Sequence, residues 1–559
     1  MRIELTFALI QVSARRGSRS LGVAALALLL AGSVLACQPR GESLTLDEAV
    51  DSLSLDTFVE HMGALSSDGM AGRRPGTAGY DSAAAYVIRE ARALGLEPGG
   101  AGGTYRQPIL FRRARVDTTG VAFSVPAEML ELGADFSITP RVSSTTTDLR
   151  APMVFAGFGI SAPDLGYDDF EGIDVEGKLV VVLSGAPDAF GSLERTVLSS
   201  RASRDAELMA RGAVGVVVVQ AGDSAEERLP TRPRVGFVPA DAASASSDGG
   251  GMELGASLVV HQRLVTEWMS RAGRSFEEVR ARITAGEPSS FELGVEGHLR
   301  ARFVHEEFES SNVAARLLGS DAELGQEHLV LTAHLDHLGV GDAVEGDSIY
   351  NGTLDNASGS AALLTLASAL IRMEAPRRSV LFLWVTAEES GLLGSEYFAR
   401  YPSLESGRVV ANQNIDGVMG MIAAATDVLA FGYEHSNLSE AVDFAVARTG
   451  TPISPDPTPE ENLFVRSDQY AFVRNGIPAI WVQAGRTSSN PTIDAQGELD
   501  AWIANRYHRP TDDIDQPVDL AGVRTELQAN LFVTWHIANE MGPIRWDPES
   551  FLYRRWVDG

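Results

Sequence analysis

H-L-V-L-T-A-H-L-D-H, residues His328 to His337, runs an apolar β-segment directly into a group of polar side chains. The run places His334 at the C-terminal end of a buried strand, which is where open α/β sheets present ligands. Alone the string is weak, because a histidine near a strand end is more often structural than metal-binding. The next segment, L-D-N-A-S-G-S-A-A-L-L-T-L-A-S-A-L from Leu354, sets Asp355 in a loop at the start of a periodic helix, where an aspartate can also serve simply as a cap. S-V-L-F-L-W-V-T-A-E-E-S then ends a second β-run on Glu388 and Glu389, and R-V-V-A-N-Q-N-I-D-G ends another on Asp416. N-R-Y-H-R-P-T-D-D adds His508. Successive strand–helix boundaries thus deliver a histidine or carboxylate to one edge of a predicted parallel sheet. Carboxylates gathered in one place repel, so the clustering calls for a compensating cation. Two histidines and three carboxylates match the nitrogen and oxygen ligand set of zinc, and a shared aspartate can bridge a pair of ions.

The segments H-L-D-H, D-N-A-S-G, A-E-E-S-G-L-L-G-S, N-I-D-G and Y-H-R-P-T-D-D resemble, in order and spacing from about Ser311 to Met541, the zinc-site motifs of the di-zinc aminopeptidase family. That family also contains glutaminyl cyclases, glutamate carboxypeptidases and the non-enzymatic transferrin receptor. The resemblance implies a three-layer α/β/α domain with a mixed, mostly parallel sheet, and two zinc ions per chain. It implies His334, Asp355, Glu389, Asp416 and His508 as ligands, with Asp355 bridging and Glu388 as the general base. Asp336 corresponds to the carboxylate that orients the His334 ring. Asp512 is expected to support His508 in the same way, and Asp468 to support a ligand or touch substrate.

The chain has 559 residues, with 46 Lys and Arg against 75 Asp and Glu, a formal charge of −29. The length predicts several domains, and 44% hydrophobic content is enough to bury a core in each. So acidic a chain has no electrostatic footprint for nucleic acid. One cysteine excludes an intramolecular disulfide and a Cys-based zinc knuckle. Arg15, Arg16 and Arg19 precede an apolar run from Leu21 to Leu35 that is too short for a comfortable membrane span and ends V-L-A-C. Residues 1–36 read as a signal peptide. The ending resembles a bacterial lipobox, which implies lipid attachment at Cys37, a tether over 37–48, and an exported protein touching the membrane only through that anchor.

Residues 49–126 read as the first part of the peptidase domain and 285–559 as the rest. Between them, 127–284 changes to short β-branched runs with one strand–helix–strand unit, and it looks like the inserted, β-rich α/β protease-associated domain of several family members, expected to wall the substrate cleft. Its His261 and His298 stand isolated, and its stretch Asp241 to Gly251 reads as a mobile loop. The chain departs from the family where S-D-H-x-x-F is often found: it reads Ser467, Asp468, Gln469, Tyr470, Ala471, Phe472. The polar segment from Gly485 to Arg506 reads equally as a lid or a decorated loop. His337 is read as structural. The favoured activity is removal of N-terminal residues from peptides. The alternatives are a carboxypeptidase, dipeptidase or glutaminyl cyclase of the same fold, and an inactive receptor-like binding protein. A carboxypeptidase needs arginines in the pocket, for which Arg466, Arg474 and Arg486 lie in the right part of the chain.

Overall fold

The computed structural model describes residues 43–126, 128–220, 229–238 and 253–558. The signal segment, Cys37 and the Asp241 to Gly251 stretch lie outside the described residues. Among the described residues no helix is long and apolar enough to cross a membrane.

The central strands are runs such as Ser379–Val385, S-V-L-F-L-W-V, in which every residue is buried. A continuous β-branched and aromatic run of this kind is covered on both faces, the signature of a parallel sheet between helices. Glu327–His334 pairs in parallel with Ser379–Val385 on one side and with Arg408–Asn414 on the other, and Ala479–Ala484 continues the parallel set. Val428–Phe431 closes one edge antiparallel, so the sheet is mixed and mostly parallel. Side chains alternate between its faces. Leu381, Leu383 and Val385 pack with Phe398 of the helix Leu393–Arg400 and Phe472 of the helix Gln469–Arg474. On the other face Trp384 Nε1 donates to Ser360 O, at the start of the helix Gly359–Leu370. That helix is Ala- and Leu-rich on every side, which suits an element buried all round.

The strand Ser290–Leu317 joins this sheet to a second one. Its C-terminal part pairs antiparallel with Ser379–Val385 and with Arg106–Val116, and its N-terminal part with Thr146–Ala156. From there Leu179–Leu183, Gly215–Gln220 and Ala256–His261 follow in parallel. Leu179, Val181 and Leu183 face a core with Trp268 and Met269, while Val180 and Val182 face Leu208. The strand–helix–strand unit expected here is Leu179–Leu183, Arg201–Ala210 and Gly215–Gln220.

Register levels the strand ends of the first sheet. His334 stands opposite Val385, and Thr332 opposite Asn414. Asp416 therefore arrives beside His334, and Glu388 and Glu389 follow just past Val385.

Candidate metal centre

His334 closes its strand with the ring buried. Nδ1 donates to the main-chain carbonyl of Asp336 at 3.1 Å. That leaves Nε2 facing Asp355 Oδ1 at 3.2 Å and Asp416 Oδ1 at 3.1 Å. On the far side of Asp355, Oδ2 lies 3.2 Å from His508 Nε2, and the same nitrogen is 3.1 Å from Glu389 Oε2. Asp355 thus stands between two histidines with one oxygen toward each. His334, Asp355 and Asp416 form one group able to hold a metal ion, and His337, Asp355 and Glu389 a second. The five side chains expected from the sequence as ligands are brought together.

The loops that carry them are locked from below. Asn356 Oδ1 accepts from Gly359 N at 2.9 Å and Gly417 N at 3.0 Å, and its Nδ2 donates to Ile415 O, tying the Asp355 loop to the Asp416 loop. Arg73, fully buried, donates to the carbonyls of Leu65, Leu335, Asn351 and Gly352. Burial lowers its guanidinium to about 10, opposed by Asp512 and Asp355. Arg73 lies some 260 residues before His334 in a Gly- and Pro-punctuated segment, and sequence reading assigns it no part in the site.

Two supporting roles differ from the sequence expectation. The Asp336 carboxylate accepts from the Glu388 amide at 3.1 Å, and it is the Asp336 carbonyl, not its side chain, that holds the His334 ring. The turn after the strand bends the carbonyl back toward the imidazole and sends the side chain across to the next strand end. Asp512 accepts from the amides of Leu354 and Asp355 at 3.0 and 3.1 Å and from Gln516. It props the Asp355 loop in place of the His508 ring. His508 itself stacks on Tyr507, with ring centroids 3.9 Å apart. His337, read from sequence as structural, places Nδ1 2.7 Å from Glu389 Oε1. Its only sequence signal is its place three residues after His334.

The electrostatics follow from burial among opposite charges. Burial opposes a charged His334, but Asp416 and Glu388 outweigh it and hold the imidazole well above its ordinary value. Burial likewise opposes a charged Asp355, yet bonds from His334 and His508 keep that carboxyl well below its ordinary value. His508 rises to about 10 against burial because Asp355 and Glu389 face it. Glu388 is pushed well above the carboxylate range by burial, with Asp416 and Asp468 adding to the effect. Asp336 and Asp468, both fully buried, rise to about 7, chiefly through burial. Glu389 Oε1, Asp336 Oδ2 and both His337 ring nitrogens are buried without a hydrogen-bond partner among the described residues. Buried polar atoms of this kind are costly and rare, so a cluster of them converging on carboxylates fits a bound cation.

A cavity of about 410 Å³ opens onto Glu388 and Glu389. Leu392, Tyr470, Tyr507 and Trp556 supply its apolar wall, and Ser200 and Ser203, at the start of the helix Arg201–Ala210, reach it as well. Arg466 and Arg474 line it as well, the latter paired with Glu396 at 2.6 Å. Arg486 does not; it bonds the carbonyl of Ala484. Gln469, where the family often has histidine, is buried away from the cavity, donating to Phe464 O and accepting from Asn414. Tyr470, beside it, is the residue that faces the cavity. Among the described residues, the Gly485 to Arg506 segment adds nothing to the lining; it carries the helix Ala495–Asn505.

Residues 312–531 match the family described as Peptidase family M28. The chain is 32% identical over 110 residues to a vacuolar membrane protease of Yarrowia lipolytica, covering 20% of this chain and 10% of that protein. It is 28% identical over 221 residues to leupeptin-inactivating enzyme 1 of Streptomyces exfoliatus, covering 38% and 47%. The chain thus spans less than half the length of these curated relatives. Among solved structures it resembles an aminopeptidase from Aneurinibacillus sp. strain AM-1, at 18% identity and a TM-score of 0.49, over 91% of this chain and 99% of that one. The matched region contains every side chain of the cluster, from His334 to His508, so the similarity to peptidase family M28 includes the site itself.

Proposed function

We propose that this chain is a zinc-dependent exopeptidase that removes N-terminal residues from peptides. The observation that carries the reading is the juxtaposition of two histidine–carboxylate groups sharing Asp355 with a further buried carboxyl, Glu388, that lines a cavity. His334, Asp355 and Asp416 would hold one ion, and Asp355, Glu389 and His508 the other. When bound, zinc supplies Lewis-acid polarisation of the scissile carbonyl, acidifies water and offsets the repulsion among the ligand carboxylates. Glu388, buried and fixed at its amide by Asp336, takes a proton from the attacking water and returns it to the leaving amine. Tyr507, Trp556 and Leu392 exclude water and contact the substrate's first side chain. Ser200 and Ser203 make the inserted region one wall of the cleft, which favours short or unfolded peptides over folded proteins.

The test is chelator-sensitive release of an amino acid from a peptide with a free N-terminus. A metal-loaded protein inactive on every such peptide would sink the reading. A second reading, a carboxypeptidase or dipeptidase, draws on Arg466 and Arg474 in the same cavity, either of which could bind a substrate carboxylate. Cleavage of an N-acetylated dipeptide would favour it. The V-L-A-C ending extends the proposal to an exported, lipid-anchored enzyme, for which Cys37→Ser should abolish fatty-acid labelling.

A further inference from the structure

His337 is buried, yet neither ring nitrogen finds a hydrogen-bond partner among the described residues. Its Nδ1 is 2.7 Å from Glu389 Oε1 and 4.0 Å from Asp355 Oδ2. The pair is within hydrogen-bond distance, yet among the described residues neither atom completes a well-formed hydrogen bond. His337, Asp355 and Glu389 each bring one ligand atom within 4.8 Å of the others, the spacing of donors around a shared cation. The ring fits only because its neighbour is glycine: at Gly352, whose φ is +58°, an added Cβ would stand 2.5 Å from His337 Cγ.

We infer that His337 is a metal ligand through Nδ1, joining Asp355, Glu389 and His508, so that the two metal positions are unequal. One position then has four protein ligands and the other, at His334, Asp355 and Asp416, has three. Zinc positions closed by four protein ligands are structural, whereas those with three keep a place open for water or substrate. His337, Asp355, Glu389 and His508 would hold the more firmly retained ion, and His334, Asp355 and Asp416 would leave the open place for water or substrate. This rests on the zinc reading above and specifies which histidines meet the metal.

The test uses the full-length protein loaded with zinc. X-ray absorption on the wild type counts imidazoles, and three histidines spread over two ions are expected. Competition with a chelator should strip two zincs in well-separated steps. In His337→Ala the tighter step should weaken at least about a hundredfold, more than loss of an outer partner of a ligand costs. In His334→Ala the tighter step should persist. Two bound zincs with only two imidazoles, or an unshifted tight step in His337→Ala, would overturn the inference and leave the exopeptidase reading standing. A wild type that binds no zinc would overturn both. Because the imidazole count is made on the wild type, it decides the matter even where His337→Ala fails to fold.

Discussion

His334 and His261 occupy the same kind of place in two different sheets. Each is the last residue of a buried parallel strand, Glu327–His334 in one and Ala256–His261 in the other, and each is itself buried. Around His334 the neighbouring strands deliver Asp416 and the Glu388–Glu389 pair, so that Nε2 meets two carboxylate oxygens. Around His261, Nε2 has no hydrogen-bond partner among the described residues, and the strand runs straight into the helix Gln262–Arg271. A strand-end histidine acquires chemistry from what adjacent strands place at the same level. Topology supplies the ledge, and the residues two to four positions past each strand decide whether it holds a metal.

The sharpest way to break this contrast is at Glu388, the residue proposed to act as base without holding metal. Glu388→Gln should lower turnover by roughly 10²–10⁴-fold with zinc content unchanged, measured by metal analysis beside steady-state kinetics. Undiminished turnover would strip Glu388 of its role as base. Next in size, Asp512→Asn loosens the Asp355 loop and should weaken zinc binding by roughly 10–100-fold, with little change at saturating zinc. An unaltered affinity would make Asp512 a bystander.

Glu526 sharpens the contrast from within the first sheet's half of the molecule. It is a buried carboxyl outside the cluster, pushed up to about 7 by burial against the bonds it accepts from Gly420 and Ala484. The folded protein therefore keeps a proton there that the unfolded chain releases above about 4.5. The associated stability is fully present below that pH and is lost as pH rises through about 7. Glu526→Gln retains an acceptor oxygen and should stabilise the protein by about 2 kcal/mol at pH 8 but not at pH 4.5, read from denaturant melts. Equal gains at both pH values would mean that the proton is not the cause. The smallest effect is expected at His261→Gln: zinc content and turnover unchanged, and stability altered by about 1 kcal/mol or less. Any loss of zinc there would erase the distinction between the two strand ends.

The ledge was readable from sequence where its carriers end or follow an apolar run, as His334, Glu389 and Asp416 do, because parallel strands align their ends. Asp355 and His508 stand in loops, and only the resemblance of their motifs to the family's pointed to them. What was not readable depends on turns and distant segments. Whether Asp336 offers His334 its carbonyl or its carboxylate is set by the bend after the strand. Asp512 reaches the Asp355 loop, and Arg73 reaches four carbonyls, across separations that no local pattern encodes. His337 turns inward because a glycine at 352 leaves room for its ring, a relation between two loops invisible in either one. Gln469 fills a family histidine position but spends its amide on Phe464 and Asn414.

The strand Ser290–Leu317 also bears on the order in which the molecule folds. Pairing Phe303 with Val116 directly would close a loop of about 190 residues. Once the second sheet has formed, Arg300 already lies against Ala122, and only a handful of residues separate the two ends. By the logarithmic cost of loop closure that difference is about 3 kcal/mol. Chain entropy therefore favours folding the second sheet first, with the sheet that carries the histidines and carboxylates zipping up from its finished edge.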